Sequence, residues 1–172
     1  MAKTAKKAAR EILKQFGSAF PVDVRAIVEA HNVRLNTSPL EDLVLGWLLL
    51  EDGKAIIRVN KNLPPDRQRF SIAHSLGHFV LHQDRPKLKL FVETAAPVKE
   101  SSRFMTGSKR QEHMADVFAS ELLMPEGELR KEIGRRQVSP TDVKAVSRLA
   151  TKFGVSKQVL TMRLMNLGLI RV

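Results

Sequence analysis

Three histidines stand at helical spacing in the stretch Phe70-Ser71-Ile72-Ala73-His74-Ser75-Leu76-Gly77-His78-Phe79-Val80-Leu81-His82. On an α-helix, residues four apart project from one face about one turn above each other. His74 and His78 can therefore chelate one ion while the backbone holds both rings. Their neighbours are mostly apolar, and burying two imidazoles among apolar side chains costs free energy unless they are hydrogen-bonded or metal-bound. The alternative is a pair of core histidines satisfied by backbone groups; the i, i+4 pairing favours metal.

A tetrahedral zinc site that does chemistry needs a third protein ligand and one open position. His82 is a poor third ligand, because eight residues turn the helix by about 80° beyond whole turns. A carboxylate from another helix suits the geometry better. The segment Glu112 to Pro125 offers one, with Glu112, Asp116 and, less directly, Glu121 expected near one another on its helical face.

Those residues need elements to position them. Helical periodicity runs from Lys3 to Phe16 and stops at Gly17, with Lys3, Lys6, Lys7, Arg10 and Lys14 off the apolar positions. Pro21-Val22-Asp23 opens a short helix that ends near His31. Val33-Arg34-Leu35 alternates as a strand. Gly46–Leu50 and Ala55–Asn60 read as two strands joined by Glu51-Asp52-Gly53-Lys54, whose Asp-Gly is a hairpin signal. Asn62 to Asp66 breaks the chain and starts the histidine helix, which is expected to reach about Gln83. Asp84 to Ser108 reads as a long loop with a short strand at Leu88–Val92, and Gln111 to Met124 reads as a helix stopped by Pro125. Gly127 to Ile133 adds a further turn or helix. Ser139-Pro140-Thr141-Asp142 predicts a helix start with Ser139 as cap, and Ser156 caps a last helix to about Asn166.

With these elements in order, Arg67-Gln68-Arg69-Phe70-Ser71-Ile72-Ala73-His74, Leu76-Gly77-His78 and His82 resemble the core motif of the ImmA/IrrE family of zinc metallopeptidases. Glu112, Ala115-Asp116, Phe118-Ala119 and Glu121-Leu122-Leu123-Met124-Pro125 resemble its second motif. The resemblance implies an α+β, zincin-like fold of several helices around a small sheet. It implies Zn2+ held by His74, His78 and Glu112, with His82 and Asp116 beside the site. It also implies a cytoplasmic protein that acts on an XRE-type repressor or an antitoxin. Residues 1–135 are expected to form the zincin-like domain. Residues 136–172 are expected to form helix-turn-helix-like helices packed on it.

One residue departs from the family pattern: Ser75 stands where the family has glutamate. In zinc peptidases that carboxylate takes a proton from the attacking water and passes it to the leaving amine. A serine hydroxyl is no base near neutral pH unless another group activates it, and losing a general base typically costs ~10²–10⁴ in rate. Metal binding should survive. Three readings stay open: an active peptidase using another carboxylate such as Glu93, Glu100 or Glu121; a natural pseudo-peptidase; or an engineered inactivation.

A rival reading comes from Leu149 to Leu160, which resembles a helix-turn-helix with Gly154 in the turn and Ser156, Lys157 and Gln158 opening the reading helix. The chain of 172 residues carries 29 Lys and Arg against 18 Asp and Glu, a net charge of +11 and a pI near 10.3. Such a surface attracts polyanions, so DNA is a possible partner, with Lys152, Lys157, Arg163 and Arg171 nearest the turn. There are no cysteines, which removes disulfides, thiolate metal sites and thiol nucleophiles. No apolar run suggests a membrane span, and no apolar segment follows the basic N-terminus as a signal peptide would require.

Overall fold

A computed structural model describes residues 2–17, 19–41, 43–82, 88–95, 108–134, 138–139 and 142–170. The order is α1 (Ala2–Phe16), α2 (Val24–Ala30), β1 (Arg34–Ser38), β2 (Val44–Glu51), β3 (Lys54–Asn60), α3 (Pro65–Leu81) and β4 (Leu88–Thr94). After these come α4 (Lys109–Leu123), α5 (Glu126–Ile133), α6 (Val143–Phe153) and α7 (Lys157–Asn166).

The sheet has strand order β1-β3-β2-β4. β1 runs parallel to β3, and β2 is antiparallel to both β3 and β4. Asp52 and Gly53 both have positive φ, as a tight two-residue hairpin turn requires. Alternation sends Leu48, Ile57, Val59 and Phe91 to one face, where they are buried against α3. Trp47 lies on the other face under the Arg58 guanidinium, 5.0 Å from the ring centroid. The strand expected at Leu88–Val92 extends to Thr94 because β2 pairs with it along its whole length. The rest of the expected loop, residues 84–87 and 96–107, lies outside the described residues.

α3 is the central element, packed between the sheet and α4, with α1 against α4 and, more lightly, against α3. It is buried along Ser71–His78, and Gly77 explains how closely α4 approaches. A Cβ there would sit 3.0 Å from Phe118 Cδ1 and 3.1 Å from the Ala115 Cα. The apparent break at Asn62–Asp66 is the helix entry, with Pro65 in its first turn. α3 ends at Leu81, two residues short of the expected Gln83. α4 starts cleanly because Ser108 and Gln111 form a reciprocal capping box.

The start of α6 differs from expectation. Its cap is Asp142, whose side chain accepts from the Ala145 amide at 3.0 Å, while Ser139 forms a preceding turn through its carbonyl to the Asp142 amide. Asp142 stands directly before the first helical residue, the position from which a side chain meets the free amides. α6 and α7 are joined by Gly154-Val155-Ser156, with Gly154 left-handed and Ser156 capping α7. This turn is tied to the histidine helix: Arg69 Nε donates to the Gly154 carbonyl (3.1 Å) and Arg69 Nη2 to that of Val22 (2.8 Å).

Candidate metal centre

Three donor atoms converge where α3 faces the start of α4. His74 Nε2 and His78 Nε2 are 3.1 Å apart, and Glu112 Oε2 lies 3.2 Å from the first and 3.3 Å from the second. Zinc bonds of about 2.0–2.1 Å in tetrahedral directions separate ligand atoms by roughly 3.3 Å. The triangle is therefore already the size an ion needs. A fourth atom favours the same reading. Glu112 Oε1 is buried without a hydrogen-bond partner among the described residues, which is unusual for a polar atom with no further role.

Electrostatics among these side chains hold the cluster together. Burial disfavours charge on His74, but hydrogen bonds to Asp116 and Glu112, with the nearby charge of Glu93, outweigh it and raise its pKa to about 10. Burial also works against the Glu112 carboxylate, yet hydrogen bonds from His74 and His78 bring it down to about 2. Burial lowers His78 and His82. A proton on His74 thus occupies the charge position that a cation would take.

The surrounding residues orient the ligands. His74 Nδ1 donates to Asp116 Oδ1 at 3.0 Å, the support a metal-binding imidazole usually receives on its second nitrogen. His78 stacks on Phe91 of β4, with ring centroids 4.2 Å apart and an interplanar angle of 26°. His82 caps α3 and points Nε2 at the Gln111 carbonyl, 3.4 Å away, so it stands beside the cluster and outside the donor triangle. Ser75 is buried on α3 next to His74.

The other expected carboxylates are placed very differently. Glu121 is not near Glu112 and Asp116. Nine residues from Glu112 turn an α-helix by about 180°, so Glu121 faces α1 and α7. There it is fully buried and paired with Arg10 Nε (2.7 Å) and with Arg163. It cannot act as a base at the histidines. Glu100 lies outside the described residues. Glu93, on β4, accepts from Ser71 Oγ at 2.5 Å. Ser71 and Phe91 escaped the sequence reading. The usable signal for Ser71 was a hydroxyl one helical turn before Ser75.

Much of the positive charge expected near the helix-turn-helix is neutralised. Arg163 is buried against Glu121 and the Met124 carbonyl, and Lys152 pairs with Glu132 at 2.6 Å. Arg171 lies outside the described residues. Lys157 and Gln158 are exposed, while Ser156 spends its hydroxyl on the Val159 amide. An open cleft of about 640 Å³ runs between this end of α7 and the start of α3, lined by Asp66, Arg69, Thr151, Gly154 and Lys157 among others.

A pair of histidines one turn apart on a buried helix, closed by a carboxylate from a second helix, is a donor set that could hold a metal ion, as in metallopeptidases. The comparisons agree. Residues 28–165 match the family model of the IrrE N-terminal-like domain, Peptidase_M78, and the chain belongs to that family. The metallopeptidase ImmA of Bacillus subtilis (strain 168) is 36% identical over 80 residues, which cover 44% of this chain and 40% of that protein. A solved structure described as a transcriptional regulator of Mycobacterium tuberculosis shares the fold, with a TM-score of 0.62 at 18% identity over 94% of this chain and 46% of that one. The chain spans less than half the length of either relative. Among the described residues no helix is long and apolar enough to cross a membrane.

Proposed function

We propose that this chain is a cytoplasmic zinc-binding member of the metallopeptidase family that acts on a repressor of the XRE type or on an antitoxin. Cleavage is expected to be slower than at a site with glutamate beside the first histidine. The observation that carries the reading is the donor triangle of His74, His78 and Glu112, with the second Glu112 oxygen buried and unpartnered beside it. Zinc bound there would polarise a peptide carbonyl and acidify a water molecule. The chain's own residues do the rest. Asp116 fixes the His74 ring, Phe91 fixes the His78 ring and restricts solvent, and Ser75 leaves a short, non-basic side chain where a proton carrier normally stands.

The test has two parts. The purified chain should carry about one zinc per molecule, and His74→Ala should lose it. Ser75→Glu should keep the zinc and raise cleavage of an XRE-type repressor, by as much as ~10²–10⁴-fold if no other carboxylate serves. Absence of zinc, with His74→Ala changing neither metal content nor function, would sink the proposal.

The exposure of Lys157 and Gln158 at the start of α7 favours a second reading, a regulator that binds DNA directly. Salt-dependent retardation of random-sequence DNA, lost in a Lys157→Glu variant, would support it. Binding unaffected by that change would exclude this face as the contact.

A further inference from the structure

Among the described residues, one carboxylate besides the ligand Glu112 and its neighbour Asp116 reaches the histidine face of α3, and it comes from the sheet. Phe91 and Glu93 lie on the same face of β4, opposite Leu48 and Gly46 of β2. Phe91 stacks on His78 and Glu93 meets Ser71, so the strand passes along α3 with Ser75 between its two contact points. At about 100° per residue, positions 71, 75 and 78 fall within roughly 60° of one another around the helix.

The contact is built rather than incidental. Ser71 is fully buried, and its hydroxyl approaches the sheet only because β2 has a glycine beside Glu93. A Cβ on Gly46 would lie 2.6 Å from Ser71 Oγ and 2.9 Å from the Arg58 carbonyl. Glu93 itself is half-exposed, so its carboxylate stands at the border of the buried cluster and solvent.

We propose that Glu93 is the proton acceptor of this site, held by Ser71 as its positioning residue, in place of the carboxylate missing at position 75. This rests on the metal-site reading above. In peptide hydrolysis the Glu93 carboxylate would take a proton from water as the water oxygen bonds to the carbonyl carbon. It would return that proton to the amide nitrogen as the C–N bond breaks, with no change of oxidation state. The Ser71 hydroxyl would keep donating to Glu93 throughout.

The full chain loaded with cobalt(II) tests this through its visible spectrum, titrated with two small ligands. Acetohydroxamate gives up a proton as it binds, whereas azide has none to give. Glu93→Gln keeps an oxygen for Ser71 to donate to. It should weaken acetohydroxamate about tenfold or more while leaving azide within about twofold. Ser71→Ala should show the same selectivity with a smaller loss. In a Ser75→Glu background, Glu93→Gln should have no effect on either ligand. Equal losses for both ligands, or no loss for either, would overturn the proposal while leaving the metal site standing. A chain that takes up no cobalt would overturn the metal reading and this inference together.

Discussion

Helix α4 carries two inward-facing carboxylates, and they are satisfied in opposite ways. At its C-terminal end Glu121 is fully buried between two guanidiniums, Arg10 from α1 and Arg163 from α7, and Arg163 also donates to the Met124 carbonyl. At its N-terminal end Glu112 faces two imidazoles, leaves one oxygen buried without a partner, and keeps part of its side chain open to solvent. A fully matched ion cluster has nothing left to offer a ligand, so the Glu121 end is a bolt joining α1, α4 and α7. The Glu112 end is under-satisfied: one carboxylate oxygen has no partner, and its imidazoles face a place a ligand can enter. The same helix thus shows where folding takes precedence and where function does.

The sharpest way to break the comparison is to remove each carboxylate in turn. Glu121→Ala leaves a buried guanidinium without its partner, which typically costs about 3–5 kcal/mol. Chemical denaturation should show that loss, while the fraction that remains folded binds zinc normally. Glu112→Ala should act mainly on the metal: zinc affinity collapses, while the loss of metal-free stability is smaller than for Glu121→Ala because Glu112 is partly exposed. If Glu121→Ala were the variant that lost zinc at full stability, the assignment of the two ends would be inverted.

A smaller effect separates the ligands from their support. Asp116 is more than half exposed, and among the described residues its polar contact is with the far nitrogen of His74. Asp116→Asn keeps an oxygen acceptor for His74 Nδ1 but removes the charge. Losing a partner of this kind usually weakens metal binding by about 10–100-fold. Competition with a chelator would measure this; zinc affinity equal to the parent's would show that Asp116 is only a surface carboxylate.

The two ends of α4 also differed in how well the sequence revealed them. The His74–His78 pair follows from helical spacing alone, and the hairpin at Asp52-Gly53 from turn chemistry. Spacing asked for a carboxylate from a second helix but left Glu112, Asp116 and Glu121 open, and the family resemblance singled out Glu112. Glu121 could not be read correctly, because its partners come from 111 residues upstream and 42 residues downstream. Arg163 was misjudged for the same reason: a basic residue beside a turn looks like a DNA contact until the packing of α7 on α4 is known. The length of β4 and the meeting of Glu93 with Ser71 were equally out of reach, since both depend on β2, a strand that lies more than 35 residues earlier in the chain. Local chemistry was legible in the sequence, whereas the partners supplied by tertiary packing were not.

The mildest test is pH, and it distinguishes the two ends by the shape of a curve rather than its height. In the metal-free protein His74 is raised from 6.5 to about 10, so its stabilising charge is complete below pH 6.5 and lost as pH climbs toward 10. His78 and His82 are lowered by burial, so their contribution is complete above 6.5 and lost as pH falls below it. Glu112, depressed to about 2, adds a further loss only below 4.5. Metal-free stability should therefore peak near pH 6.5 and decline on both sides, read as melting temperature across pH 5–9. His74→Gln should flatten the alkaline side. Glu121→Ala should lower the whole curve without reshaping it, because that end of α4 holds no imidazole, the side chain that changes charge near neutrality. Saturating zinc should flatten the alkaline limb. The ion displaces the His74 proton, so binding tightens as pH rises and offsets the weakening of the metal-free protein over the same range. An alkaline limb that kept its slope after zinc was added would mean that the ion and the His74 proton do not compete for one place.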